Sequence, residues 1–309
     1  MTRPPASPLP VLALTLNALV WGTAWWPFRR LESFGLHPLW ATALVFTVSA
    51  LAIVAWRPQS MRQLLRTPVL WILVFASGTT NAAFNWAVVV GDVVRVVLLF
   101  YLMPLWSVLL ARLLLKEPLT RGAALRVALA LAGAAVVLWP AGGLATGLSG
   151  GWPPRTLLAD VLALLGGFSF ALNNVMLRRE AHQPEEARAL AMFVGGVLVA
   201  GLLATTLALQ SQIAWPPLPR PAWLRLAFVL ALLFLAGNLA LQYGAARLPA
   251  HVTAVVMLTE VVFASGSAWL LGAGRLTPQL LAGGALIVLA ALHAAWRPEA
   301  AVGKAAPPE

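Results

Sequence analysis

Asn81-Ala82-Ala83-Phe84-Asn85-Trp86 reads as an amide, three apolar residues, a second amide and an aromatic ring; 157 residues later the chain repeats the pattern as Asn238-Leu239-Ala240-Leu241-Gln242-Tyr243. The four-residue spacing puts both amides on one face of a helix, with the aromatic residue beside it. Amides in hydrocarbon are costly unless hydrogen-bonded, so both faces are expected to point inward. The same offset aligns Leu113 and Leu114 with Leu270 and Leu271, Leu119 and Thr120 with Leu276 and Thr277, and Trp139 with Trp296, with no gap between residues 81 and 139. Nearer the N-terminus the offset becomes 149, which pairs Arg29 and Arg30 with Arg178 and Arg179 and sets Asn174 opposite Trp25. The chain therefore reads as an internal duplication, the usual way transporters are built.

Composition says which solvent the duplicated unit meets. Of the 309 residues, 61% are apolar and 10% are charged, where a soluble domain has about a quarter charged. So little charge cannot coat a water-facing globule of this size. Apolar runs at 10–28, 38–56, 69–90, 93–115, 121–140, 156–177, 187–209, 222–243, 250–272 and 277–296 each come near the roughly 20 residues that cross a bilayer. They are expected to be spans 1 to 10, and little chain remains for a soluble catalytic domain. Arg3 before the first run has the look of a secretory signal, but the run continues into Trp21, Trp25 and Trp26 with no small-residue cleavage site, so it reads as span 1.

Five spans per copy is an odd number, so the second copy must enter the membrane upside down. The loops agree: Arg57, Arg62 and Arg66 lie between spans 2 and 3, whereas the corresponding loop between spans 7 and 8 carries Arg220 beside Trp215, Pro216 and Pro217. The side holding both termini collects fourteen Lys and Arg and the other side seven, which predicts cytoplasmic termini. The expected fold is an all-α integral membrane protein, ten transmembrane helices arranged as two inverted five-helix repeats around a central cavity. Residues 1–140 form the first repeat, 141–155 a linker, and 156–309 the second repeat with a short tail.

Several function classes drop out. The net charge of +11 would suggest nucleic acid in a soluble protein, but the basic residues stand singly or in pairs between apolar runs. No nucleic-acid partner is expected. With no cysteine there is no disulfide framework and no thiolate, and His37, His182, His251 and His293 are too scattered for a metal pair. Ser169, within Gly167-Phe168-Ser169-Phe170-Ala171, lacks the strand-to-helix elbow of a hydrolase nucleophile. No catalytic residue, metal or cofactor is expected, and the chain does not read as an enzyme. Nineteen Arg against two Lys, beside abundant Ala and Leu, suggest a GC-rich bacterial genome and hence the bacterial inner membrane.

Trp21-Gly22 in span 1, Tyr101-Leu102-Met103-Pro104 in span 4, the Lys116-Glu117-Pro118-Leu119-Thr120 turn and the five-plus-five plan together resemble the EamA family of the drug/metabolite transporter superfamily. The resemblance covers nearly the whole chain, and its aromatic-rich spans 1 and 3 are similar to the amino-acid exporters of the YddG type. It implies export of aromatic and other neutral amino acids or similar small amphipathic metabolites by alternating access; a multidrug or cationic-compound exporter of the same fold is the alternative. A helix 9 proline found in many members is replaced here by Leu258-Thr259-Glu260-Val261.

Candidate substrate-binding residues are Trp21, Trp25, Asn81, Asn85, Trp86, Tyr101, Asn174, Asn238, Gln242 and Tyr243. The amides either line a cavity or hold helices together, at about 0.6 to 2 kcal/mol per contact; the deeper rings either stack on a ligand or pack the core. Glu260 is the only acidic residue near the middle of a span, a position costing about 2.5 to 3.5 kcal/mol on insertion scales. It either couples transport to protons or binds an ammonium group, or it rests protonated against a neighbouring helix. Asn17 and Asn173 add polarity to spans 1 and 6, Gly91-Asp92 is read as a tight turn, Asp160 as an interface residue, and Gly195, Gly196, Gly283 and Gly284 as sites of close helix packing. Besides the bilayer, the expected partner is a small-molecule substrate, and a monomer is expected with a dimer left open. Phosphorylated substrates are disfavoured because no cation lies at mid-depth.

Overall fold

Proline opens many of the helices: Pro38, Pro154, Pro221 and Pro278 are each the first helical residue, where a missing N–H costs nothing and the fixed φ suits the helix. A computed structural model describes residues 8–114, 121–139, 153–180, 182–245, 256–257 and 259–296. The turn at Lys116–Thr120, most of the 141–155 linker and His251 lie outside the described residues. In chain order the helices are α1 (Leu9–Thr23), α2 (Trp25–Ser33), α3 (Pro38–Trp56), α4 (Gln59–Arg66), α5 (Leu70–Val90), α6 (Val93–Phe100), α7 (Met103–Leu114) and α8 (Arg121–Leu138). After the linker come α9 (Pro154–Arg179), α10 (Glu185–Gly195), α11 (Gly201–Leu209), α12 (Pro221–Ala245), α13 (Thr259–Leu270) and α14 (Pro278–Trp296). A π-helical turn, Gly196–Ala200, joins α10 to α11.

Seven helices among the described residues are long and apolar enough to cross a membrane: Leu9–Ser33, Pro38–Trp56, Leu70–Val90, Val93–Leu114, Pro154–Leu177, Glu185–Leu209 and Pro221–Leu241. Val127–Val137 and Pro278–Ala290 are shorter apolar helices, and α13 has 12 residues. These three stretches correspond to the fifth, ninth and tenth expected spans. The break between α6 and α7 at Tyr101-Leu102 is explained by Pro104 in the first turn of α7, whose ring nitrogen leaves no N–H for the carbonyl four residues earlier.

Two groups of helices emerge from the packing. In one, α9 lies against α5, α6 and α7; in the other, α1 lies against α12 and α13. Gly91 faces Ala159 and Gly166 faces Phe84, so α9 runs antiparallel to α5; Gly237 faces Val20 and Gly244 faces Leu14, so α12 runs antiparallel to α1. The helix α3 bridges them, touching α5, α10, the π turn and α12, while α8 pairs with α14.

Glycine permits the closest crossings. A Cβ on Gly195 would strike the Val74 carbonyl, and one on Gly78 the Gly195 carbonyl, so α5 and α10 meet backbone to backbone. Gly133 and Gly283 do the same for α8 and α14, each facing the other's carbonyl. Contact this close is how small residues bring helices together where lipid supplies no hydrophobic drive. Phe234 is fully buried beneath Trp21, stacked at 4.4 Å, and is flanked by Phe28 and Phe46 at 6.1 and 5.8 Å.

Candidate functional site

The two helix groups meet at Tyr101. At the C-cap of α6, just before the break, Tyr101 is buried, and its hydroxyl donates to Glu260 Oε2 at 3.0 Å and to the Met257 carbonyl at 3.3 Å. Glu260 is buried in the first turn of α13, and Gly22 of α1 sits against its backbone carbonyl, closely enough that a Cβ would collide. One turn away, Asn17 Nδ2 donates to Met257 Sδ at 3.4 Å, while its Oδ1 is buried with no hydrogen-bond partner among the described residues. Further along α13, Trp25 Nε1 donates to Ser267 Oγ at 2.9 Å. Glu260, Tyr101, Trp25 and Asn17 thus line one buried seam, whose polar groups include the Glu260 carboxyl and an orphan amide oxygen.

A second polar patch joins the repeated amides. Asn81 Nδ2 donates to the Ser77 carbonyl at 2.8 Å and to Ser77 Oγ at 3.3 Å; Ser77 Oγ donates to the Met192 carbonyl at 3.3 Å; and Asn238 Nδ2 reaches Met192 Sδ at 4.0 Å. The paired asparagines of the two halves therefore converge on one residue of α10. Asn85 is fully buried, its Nδ2 donating to Thr42 Oγ1 at 3.1 Å and its Oδ1 without a partner among the described residues. Trp86 is half-buried and meets His37 edge-on at 5.2 Å. His37 lies just ahead of α3 and caps it, Nδ1 accepting the Leu39 N–H at 3.3 Å. Burial lowers the His37 imidazole to about 4, which keeps it neutral and preserves that acceptor.

Not every expected site residue joins these patches. Trp21 stacks on Phe234 as part of the core. Asn174 is exposed, whereas its neighbour Asn173 is buried with an unpartnered Oδ1; Tyr243 is also exposed, and the Gln242 side chain lies outside the described residues. Sequence reasoning passed over Ser77, Thr42, Met192, Met257 and Ser267, ordinary residues in apolar runs whose roles come from the helices facing them. It also did not pair Arg95 with Asp160. Arg95 Nε and Nη2 donate to Asp160 Oδ1 and Oδ2, both at 2.8 Å, and Nη1 donates to the Val137 carbonyl at 2.7 Å. The available signal was that Asp160 is a carboxylate at the start of an otherwise apolar run, which requires a partner.

A curated relative, an uncharacterized transporter of Pseudomonas aeruginosa, is 33% identical over 141 residues, covering 43% of this chain and 47% of that protein; the match spans about half of the relative's length. A crystal structure of a protein superposes with a TM-score of 0.57 at 23% identity, covering 94% of this chain and 99% of the other, and shows a shared fold. The model of the EamA-like transporter family matches residues 8–139 and 157–295. With nearly all of both halves covered, the chain belongs to the EamA-like transporter family.

Proposed function

We propose that this protein is a secondary transporter that exports amino acids, aromatic and other neutral ones, or similar small amphipathic metabolites across the bacterial inner membrane. It works by alternating access, as a monomer of ten spans in two inverted repeats with both termini in the cytoplasm. The observation that carries the reading is the buried Tyr101–Glu260 hydrogen bond, a single carboxyl held between the two helix groups. A substrate ammonium group brings a positive charge to the Glu260 carboxyl and an N–H donor to the orphan Asn17 oxygen, and the apolar, aromatic surroundings suit the rest of a neutral amino acid.

Inversion is supported by how the helices exchange partners. The first span (α1) lies on α12 and α13, and its counterpart α9 lies on α5, α6 and α7, the counterparts of those two. The registers agree as well. Shifted by the offsets of 157 and 149, the Gly244–Leu14 contact becomes Ala87 with Ala163, two fully buried residues midway between the Gly91–Ala159 and Phe84–Gly166 contacts. The family's match to two separate stretches, 8–139 and 157–295, points the same way.

Counterflow into proteoliposomes, with labelled neutral amino acids and lipophilic cations as the panel, tests the reading. Exchange of amino acids is expected, with at least about a tenfold loss in Glu260→Gln, which keeps a hydrogen-bonding side chain but deletes the charge, the equivalent of roughly 1.4 kcal/mol. Exchange of lipophilic cations alone would favour the multidrug alternative, since a cationic compound also meets Glu260. No exchange of any amino acid, or an unaltered Glu260→Gln, would overturn the proposal.

A further inference from the structure

At one end of the molecule a second arginine, Arg29 of α2, makes bonds of a different kind from those of Arg95. Its Nε donates to the Val88 carbonyl at 2.9 Å and its Nη2 to the Gly91 carbonyl at 2.5 Å, the last turn and C-cap of α5. Carbonyls at a helix C-terminus have no intrahelical partners and carry the negative end of the helix dipole, so a guanidinium is a natural clasp for them. The guanidinium also lies over the Trp25 ring, 5.3 Å from its centroid.

Position gives these bonds their meaning. α2 continues the span that packs on α12 and α13 and itself touches both α12 and α5, whereas α5 packs on α9. The Arg29 bonds therefore cross from one helix group to the other, as does the contact beside them, where Asp92 Oδ2 accepts the backbone N–H of Arg275 at 3.1 Å. Arg95 and Asp160, at the same end, belong to a single group, α6 on α9. If the groups rock against each other, the Arg95–Asp160 pair travels intact and the Arg29 bonds must break.

We infer that Arg29 is a releasable clasp that holds this end of the transporter closed, and that Arg178, its counterpart at the offset of 149 in the last turn of α9, serves the opposite end in the opposite state. This inference rests on the alternating-access reading above. The offset of 157 turns Val88 into Ala245, the last residue of α12, so the duplication offers Arg178 the end of the matching helix. The neutral acceptors matter. A carboxylate in their place would lock the end, while carbonyls let water or a moving helix take over the guanidinium at modest cost.

The chain contains no cysteine, so a single introduced thiol reports directly on access. Val94, 3% exposed and facing Gly274 across the same seam, is the reporter as Val94→Cys. Labelling by a membrane-impermeant maleimide is read in proteoliposomes, with thermal melting as the check on folding. In the Val94→Cys background, Arg29→Ala is expected to raise the labelling rate by about tenfold or more, a population shift toward the state open at this end; Arg29→Lys, which keeps a charge but loses the fork, should restore part of the protection. Arg178→Ala should lower it. A folded Arg29→Ala protein with unchanged labelling would overturn the clasp, and Arg178→Ala moving labelling in the same direction as Arg29→Ala would overturn the pairing. The parent Val94→Cys chain separates the two ideas: labelling that does not respond to transported amino acid refutes alternating access, whereas a response that Arg29→Ala leaves unaltered refutes the clasp alone.

Discussion

Arg95 and Arg29 stand at the same end of the molecule, and under the proposed mechanism the difference in what they hold separates static parts from moving ones. Arg95 grips Asp160 through two bonds of 2.8 Å with side chains only 17% and 7% exposed, inside one helix group. Arg29 grips two backbone carbonyls across the boundary between groups. A buried ion pair breaks only at great cost once one partner is removed, so it suits a strut. Charge-to-carbonyl bonds are individually weaker and easily replaced, which suits a joint. The contrast extends to the far end, where Arg57 meets Glu186 at 3.6 Å with side chains 56% and 38% exposed, a geometry that holds little.

The largest test of this contrast removes the strut. Asp160→Ala strands the buried Arg95 charge and is expected to cost about 3 to 5 kcal/mol, seen as a large drop in melting temperature in detergent; replacing both residues by Leu should return most of it. An Asp160→Ala protein that melts like the parent would show that the pair is not a strut. Arg29→Ala comes next, at about 1 to 3 kcal/mol for the charged hydrogen bonds it deletes. Its melting temperature should fall by less than that of Asp160→Ala, and a larger fall would erase the distinction between joint and strut.

A smaller effect lies in pH. The folded His37 titrates near 4 against an ordinary 6.5, so the unfolded chain binds the extra proton first between those values. Stability is therefore retained above about 6.5 and lost as pH falls toward 4. Protonation also turns the Nδ1 cap of α3 into a donor facing the Leu39 N–H. The cap is worth about 1 kcal/mol, and His37→Asn should flatten that part of the pH-melting profile; an unchanged slope would remove His37 from the account. Smallest of all is Arg57→Ala, expected within about 0.5 kcal/mol of the parent because exposed pairs contribute little. A loss comparable to that of Asp160→Ala would mean the far end is as firmly tied as the near one.

Much of the plan was legible because hydrocarbon imposes simple rules. Runs of apolar residues near membrane length announce helices, and the amides of Asn81, Asn85 and Asn238, too costly to face lipid, announce inward faces; all three are buried. Glu260 announced itself in the same way. Less legible were the partners. Asn81 and Asn238 both converge on Met192, whose carbonyl and sulfur carry no polar signature. Arg29 read as one more orientation charge, although its alignment with Arg178 was visible in the offset.

The sequence by itself determined that the chain is built of apolar helices, that its two halves share a pattern, and which rare polar residues must face inward, because each of these follows from local composition and the cost of polarity in lipid. Only the tertiary structure decided that Glu260 belongs to Tyr101, that Asp160 belongs to Arg95, and that Arg29 spans the two helix groups. Those pairings join residues 159, 65 and 59 positions apart, and a separation of that size in the chain says nothing about distance until the helices have packed.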